Sequence, residues 1–102
     1  MAYHSIVRFE WDEAKDLLNR KKHGISFAEA RSLFESGVDY LEIFDSEHSD
    51  VEDRFIAIGP IEGGIVVIVY TEREEDVIRI IGARWANPRE RSSYRSYMEQ
   101  KP

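Results

Sequence analysis

Three stretches in the second half of the chain carry apolar and β-branched residues in runs that are typical of buried strands. They occupy residues 54–59, 65–71 and 77–84, and short polar segments, one of them containing Gly63 and Gly64, separate them at hairpin spacing. The pattern predicts consecutive antiparallel strands. Because the middle stretch is almost continuously apolar, we expect its strand to be covered on both faces or nearly so.

Two helices are predicted ahead of these strands, each with a cap at its start and a glycine at its end. The first runs from the cap Asp12 to Gly24. The second begins with the capping box of Ser26 and Glu29 and ends before Gly37. Apolar residues recur at helical spacing in both segments: Ala14, Leu17, Leu18, Phe27, Ala30, Leu33 and Phe34.

Two more strands and a third helix complete the predicted fold. Residues 6–11 and 40–44 alternate as strands do, and Asn87 can cap a helix that starts at Pro88 and whose Glu90 reaches back to the cap. The order β-α-α-β-β-β-β-α predicts an α+β domain, with two amino-terminal helices packed on a mostly antiparallel sheet and a C-terminal helix. At 102 residues we expect one domain, 1–102, with one core.

Charge is segregated along this chain, and that changes what partners it can have. The formal net charge is −6, but residues 29–76 hold fourteen Asp/Glu against three Lys/Arg, whereas residues 79–102 hold six Lys/Arg against two Glu. A basic surface can therefore exist on an acidic protein. The alternative is that both segments are simply solvated.

Several classes of site and location are disfavoured by the sequence. There is no cysteine, no apolar run near the about 18–20 residues that span a bilayer, and no secretory signal, so we expect a cytoplasmic protein without membrane contact. The acidic segment 45–53 contains His48, but its spacing matches neither a calcium loop nor a zinc motif. A solvated loop is favoured there, and we expect no metal and no cofactor.

Six short motifs, taken together, resemble the BrnT family of bacterial toxins. They are Phe9-Glu-Trp-Asp-Glu-Ala-Lys15, Lys22-His-Gly24 followed by Ser26-Phe-x-Glu-Ala30, Arg54-Phe55 with Ile58-Gly59, Tyr70-Thr-Glu-Arg73, Ile78-Arg-Ile-Ile-Gly-Ala-Arg84, and Glu90-Arg91-x-x-Tyr94. They occur in the family's order over most of the chain. Two departures are Gly82, where the family resemblance leads us to expect serine, and Asn87-Pro88 after Ala86 in place of threonine.

The resemblance implies both a fold and a function. The fold is RelE-like, and the function is that of the toxin in a type II toxin–antitoxin system, an endoribonuclease that halts translation by cutting RNA. The partner it implies is a small DNA-binding antitoxin of the BrnA type, in a hetero-oligomer with the toxin.

Metal-independent RNA cleavage requires a base for the 2′-hydroxyl, cations around the phosphorane and an acid for the leaving oxygen. The predicted catalytic residues are Arg79 and Arg84 for charge stabilisation, Tyr94 as a hydrogen-bond or proton donor or a base-stacking ring, and His23 as acid or base. Each also has a structural interpretation, namely an ion pair of Arg79 with Glu72 or a neighbouring acid, sheet packing by Tyr94, and helix capping by His23, which is the favoured interpretation of that histidine. Predicted phosphate contacts are Lys22, Arg54, Arg73 and Arg91.

Two questions stay open at this point. Arg79 and Arg84 are five residues apart, so they share a face only if the strand bulges at Gly82 or if Arg84 lies past its end. The second question is function: the chain is a ribonuclease, or an inactive toxin-fold protein whose acidic middle segment binds a basic antitoxin, or a module that binds RNA without cutting it.

Overall fold

The computed structural model describes residues 7–74 and 76–101, and in this part of the chain the predicted order of elements is confirmed. The elements are β1 (Arg8–Glu10), α1 (Glu13–His23), α2 (Phe27–Glu35), β2 (Leu41–Phe44), β3 (Arg54–Ile61), β4 (Gly64–Glu72), β5 (Val77–Trp85) and α3 (Pro88–Glu99), with a short 3-10 helix at Ser46–His48. Ile6, predicted as part of the first strand, lies outside the described residues. None of the helices described is long and apolar enough to cross a membrane.

The sheet has the strand order β1-β5-β4-β3-β2. β2 to β5 pair as consecutive antiparallel neighbours, and β1 joins the sheet parallel to β5. The turn between β3 and β4 includes Gly63, whose φ of 103° lies in the region that glycine adopts without strain. The mostly antiparallel sheet predicted from the spacing of apolar runs is therefore confirmed.

The main core lies between α2 and one face of this sheet. Its helix side consists of Phe27, Ala30 and Leu33, which are at most 1% exposed, at the predicted apolar positions. Gly59 lets β3 approach the helix closely, because a Cβ there would lie 2.7 Å from Leu33 Cδ1. The sheet contributes Ala57, Val66, Ile68, Tyr70, Ile78, Ile80 and Ala83.

The first helix packs differently from what its leucines suggest. Leu17 and Leu18 are 54% and 66% exposed, whereas the one buried residue of α1 is Asp16. A carboxylate oxygen of Asp16 accepts a hydrogen bond from the backbone N–H of Phe27 at 2.8 Å. The spacing of the leucines therefore does not mark the buried side of α1, which attaches to its neighbours through polar groups.

Asn19 makes the second of these polar attachments. Its side-chain amide donates to the carbonyls of Ile25 and Ala83, and its oxygen accepts from the N–H of Ala83. Because β1 pairs with β5 only as far as Arg79, the later part of β5 has a free edge. Asn19 satisfies the backbone groups of that edge in place of a strand.

The opposite face of the sheet is covered at one end by α3. Asn87 caps this helix, with the predicted capping box to Glu90 and Pro88 at its start. No residue of α3 is buried, but Tyr94 packs on a small cluster of Ile58, Val67 and Ala86. The remainder of this face is not covered by any helix among the described residues.

Candidate functional site

A bulge in β5 decides where the two predicted catalytic arginines point. Ile80 and Gly82 have partners on β4, but Ile81 between them has none. Because side chains alternate along a strand, one extra residue shifts the alternation, so that Arg79 and Arg84 point to the same face. The predicted condition for a shared face is met, with the unpaired residue at Ile81 rather than at Gly82.

The buried residues of β5 support this assignment independently. Ile78, Ile80 and Ala83 all belong to the core beneath α2, and their spacing changes from two to three across the bulge. The arginines therefore lie on the face opposite α2.

This surface is called the arginine face below, and it carries the side chains of Arg8, Arg54, Arg79 and Arg84. One row runs across four strands on it: Glu10, Arg79, Thr71 and Arg54 are register partners in β1, β5, β4 and β3. Register partners have Cβ atoms about 4.5–5.5 Å apart, so these side chains are in contact range. The alternation of apolar and polar residues along a strand does not give its register against the neighbouring strand, so this row cannot be identified from the sequence.

Arg79 forms an ion pair within this row. Its Nη1 donates to Glu10 Oε2 at 2.8 Å, and the two side chains are 28% and 45% exposed. The partner is a neighbouring acid on β1 rather than Glu72. Since both side chains reach solvent, water and salt weaken this pair, and another anion can replace Glu10.

Arg84 is held more firmly, by the third helix. Its Nη1 and Nη2 donate to Glu90 Oε1 and Oε2, each at 2.7 Å, in a bidentate pair. Glu90 raises the pKa of Arg84, and hydrogen bonding to Arg84 lowers the pKa of Glu90 below its usual range. Glu90 also caps α3 through the N–H of Asn87, so the same carboxylate joins the end of β5 to the start of the helix.

Tyr94 lies on the same side of the sheet as Arg84. Its hydroxyl donates to the carbonyl of Asp39 at 3.1 Å, and its ring packs against Ile58 and Val67. Burial, followed by the charge of Asp39, raises the pKa of Tyr94. The packing role predicted as its alternative is present, and the hydroxyl stays protonated at neutral pH.

The other predicted site residues are dispersed. Arg91 donates to the carbonyl of Ala86, and Arg73 forms an ion pair with Glu52 at 3.7 Å, beyond the end of β4. Lys22 and His23 lie in the last turn of α1, and neither side chain has a hydrogen bond or ion pair to any residue of the described ranges. The structure brings Arg54 and Arg79 together in one row and links Arg84 to the start of α3, the helix that carries Tyr94, but it does not join His23 to them.

Sequence reasoning missed two residues at this site. Thr71 is 1% exposed and its hydroxyl has no hydrogen-bond partner, although threonine is an ordinary strand residue that gives no signal by itself. Glu90 was recognised only as a cap, whereas its short sequence distance from Arg84 was the available signal for their ion pair. Among residues 7–74 and 76–101, no group of three metal-ligating side chains is close enough to hold an ion.

A second surface of different character lies at the far edge of the sheet. It is called the acidic edge here and consists of β2 and the segment after it, residues 42–53, with six Asp/Glu and no Lys/Arg. Ile43, Phe44 and Val51 are 41%, 49% and 99% exposed on it. Because β2 is the last strand of the sheet, its outer edge is not paired with another strand in the described part of the chain.

Comparison with known proteins gives a family and a fold. Residues 11–90 match the family described as the ribonuclease toxin, BrnT, of type II toxin–antitoxin systems. A crystal structure of the Brucella abortus ribonuclease toxin BrnT is similar, with a TM-score of 0.61 at 24% sequence identity over 79% of this chain and 97% of that one. No curated protein sequence gives a significant match.

Proposed function

Because the chain belongs to the BrnT family of ribonuclease toxins of type II toxin–antitoxin systems, we propose that it is an endoribonuclease that cuts RNA on its arginine face and thereby inhibits translation. The observation that carries the proposal is the bulge at Ile81, which puts Arg79 and Arg84 on one face together with Arg8 and Arg54. Several guanidinium groups on one open sheet face suit the phosphates of a single RNA strand.

Arg79 and Arg84, the two proposed catalytic arginines, lie at different positions along the sheet. Arg79 is paired with Thr71 and Arg84 with Val67, four residues apart on β4. At about 3.3 Å per residue these positions are about 13 Å apart, so we infer that the arginines contact different phosphates. Arg84, which is bound to the start of α3 and lies on the same side of the sheet as Tyr94, is the proposed position of the scissile phosphate.

The proposed chemistry uses the 2′-hydroxyl as the nucleophile and no metal. Arg84 stabilises the charge that develops on the phosphorane, after exchanging Glu90 for the phosphate. Tyr94 donates a hydrogen bond or a proton to the leaving 5′-oxygen, and its raised pKa keeps the hydroxyl protonated, which favours the hydrogen bond over proton transfer. His23 was predicted as acid or base, and with Tyr94 at the leaving oxygen we assign it the role of the base, which requires that bound RNA extends from α3 to the end of α1.

Cleavage of a labelled RNA in EDTA by the purified, antitoxin-free protein tests this proposal. We expect products with 2′,3′-cyclic or 3′-phosphate ends, and a rate at subsaturating RNA that falls about 10-fold or more in Arg79→Ala, because a charged contact that positions the RNA is lost. Loss of the partly exposed ion pair of Arg79 lowers the free energy of unfolding by less than about 1 kcal/mol, so the variant can be compared with the wild type at similar stability. Arg95→Ala is the matched control, because Arg95 is exposed on α3 and has no ion pair among the described residues.

Intact RNA, or equal cutting by the wild type and Arg79→Ala, would contradict the proposal. Growth arrest in a bacterium without the antitoxin is the complementary assay, and Arg84→Ala should relieve it. Growth arrest that persists in both Arg79→Ala and Arg84→Ala would show that toxicity does not come from the arginine face.

A second candidate function is favoured by one observation, namely that Arg79 and Arg84 are both neutralised by carboxylates. An inactive toxin-fold protein that binds its antitoxin, or a module that holds RNA without cutting it, fits paired arginines as well. RNA that binds with a steep salt dependence and stays intact identifies the binding module. RNA that neither binds nor is cut leaves only the antitoxin-binding function.

The family implies an antitoxin partner, and we propose that it is a BrnA-like DNA-binding protein that forms a hetero-oligomer with this chain in the cytoplasm. The acidic edge supports a basic protein partner, because its carboxylates repel RNA and its exposed Phe44 and Val51 offer apolar contacts. RNA and antitoxin would then occupy different surfaces of the sheet.

A further inference from the structure

Thr71 is a buried polar residue without a hydrogen-bond partner. It lies on β4, is 1% exposed, and its Oγ1 accepts or donates no hydrogen bond in the described structure. Nearly all buried hydroxyl groups in folded proteins have such a partner, because leaving one unsatisfied is unfavourable. An exception near the end of the central strand, on the face that carries the arginines, points to a role other than stability.

The position of Thr71 identifies what its hydroxyl faces. Its register partners are Arg54 on β3 and Arg79 on β5, so a guanidinium-bearing side chain flanks it on each side of the same sheet face. Neighbouring positions of this kind are about 5 Å apart. The hydroxyl, which can donate as well as accept a hydrogen bond, therefore lies between two side chains that carry permanent positive charges.

This combination suits an anionic oxygen. The two guanidinium groups only donate and the hydroxyl between them can donate as well as accept, so a ligand with several acceptor atoms fits all three, whereas the edge of a nucleobase presents donors and acceptors together. A tetrahedral phosphate has several oxygens to share among the three groups. Since Arg79 and Glu10 are partly exposed, a phosphate can displace Glu10 from the ion pair, and the long arginine side chains can move to admit it.

We propose that Thr71, Arg54 and Arg79 form a phosphate subsite for the RNA backbone, in which the Thr71 hydroxyl donates to a non-bridging oxygen. The inference rests on the proposed function, since it assumes that RNA lies on the arginine face. The subsite lies about 13 Å along the strand from Arg84, so it holds a phosphate other than the scissile one and positions the RNA.

The test compares Thr71→Val with Thr71→Ser in the full chain. Valine keeps the shape of threonine without its hydroxyl, and serine keeps the hydroxyl. The probe is a single-stranded RNA with 2′-O-methyl groups, which cannot be cut through the 2′-oxygen, and the readouts are its Kd over a range of salt concentrations and the Tm of the free protein.

Thr71→Val should weaken RNA binding by about 10-fold or more, as expected for a lost hydrogen bond to a charged group, whereas Thr71→Ser should bind as the wild type does. The dependence of log K on log salt should stay the same in Thr71→Val and become shallower by about one unit in Arg54→Ala or Arg79→Ala. The Tm of Thr71→Val should be unchanged or higher by several degrees, because an unsatisfied buried hydroxyl is removed.

A weaker affinity for RNA without a lower Tm in Thr71→Val separates the proposed role in binding from a structural role. A lower Tm in Thr71→Val with unchanged RNA affinity would overturn the subsite, because it would show that the hydroxyl supports the fold. If the wild type cuts and binds RNA and Thr71→Val does so equally, the subsite fails and the proposed function stands. If the wild type binds no RNA, both fail. Thr71→Ala is the second variant that removes the hydroxyl, should valine not be accommodated.

Discussion

At the scale of single residues, the Arg84 guanidinium has two alternative partners. It stabilises the fold through Glu90, and the proposed chemistry requires it to bind a phosphate. Its guanidinium forms two parallel hydrogen bonds to Glu90, each at 2.7 Å. A phosphate presents the same pair of oxygens to the same fork of donors. RNA and Glu90 therefore exclude each other from Arg84, and RNA bound there leaves an ionised carboxylate beside the site.

We expect Glu90→Gln to tighten RNA binding by about 2- to 5-fold, the equivalent of one partly exposed ion pair. Glutamine can still accept a hydrogen bond from the N–H of Asn87, so the capping box that starts α3 is retained. The competing negative charge is removed, however, and Arg84 is freed for the phosphate. Titration of uncleavable RNA measures the change, and Glu99→Gln, near the other end of α3, is the matched control for charge.

The same variant gives a pH prediction. The pKa of Glu90 is lowered by Arg84, so the pair stabilises the fold above the unfolded-state pKa of about 4.3, and this contribution is lost as the pH falls through the lower folded-state pKa. The Arg84 side chain is 42% exposed, which keeps the contribution below about 1 kcal/mol. Urea unfolding at pH 7 and pH 3 should show a smaller acid-induced loss in Glu90→Gln than in the wild type. Equal losses in both proteins would contradict a stabilising pair.

At the scale of elements, α1 is attached to the sheet by an asparagine rather than by leucines. Asn19→Ala removes three hydrogen bonds and leaves the N–H and C=O of Ala83 without them. We expect the free energy of unfolding to fall by about 2–4 kcal/mol, because part-buried backbone groups lose their partners. Leu18→Ala is the control on the same helix, and its exposed side chain should change stability by less than about 0.5 kcal/mol. Thermal or urea unfolding of both variants shows whether α1 is attached to the sheet through Asn19 or through its leucines.

The elements also show which parts of the fold can be predicted from the sequence. The caps Asp12, Ser26 and Asn87 were predicted because each acts on backbone within three residues. The contact between Asn19 and Ala83 spans 64 positions, so no local pattern contains it. The bulge at Ile81 is likewise a property of how β5 pairs with β4. The arginines of the candidate site could be named from the sequence, but their common face and the row through Thr71 depended on register.

At the scale of the whole molecule, charge is divided between two parts of one sheet. The arginine face carries Arg8, Arg54, Arg79 and Arg84, and the acidic edge, residues 42–53, carries six carboxylates at the opposite end from β1. A net charge of −6 is therefore compatible with RNA binding, because the negative charge is concentrated where RNA is not proposed to bind. The same division allows a basic antitoxin to bind without covering the arginine face.

This division gives the prediction that separates the two partners. Phe44→Asp removes a ring of the acidic edge that is 49% exposed, and the lost apolar contact outweighs one more attraction to a basic partner, so we expect it to weaken antitoxin binding by about 10-fold or more, as for a buried interface anchor. RNA cleavage by the free protein should be unchanged, because Phe44 and the arginine face lie on different sides of the sheet. Leu18→Asp introduces the same charge at another exposed apolar residue and is the control. Calorimetric titration with the purified antitoxin measures the affinity. If Leu18→Asp weakens binding and Phe44→Asp does not, the antitoxin binds the exposed side of α1, and the acidic edge has no part in recognising it.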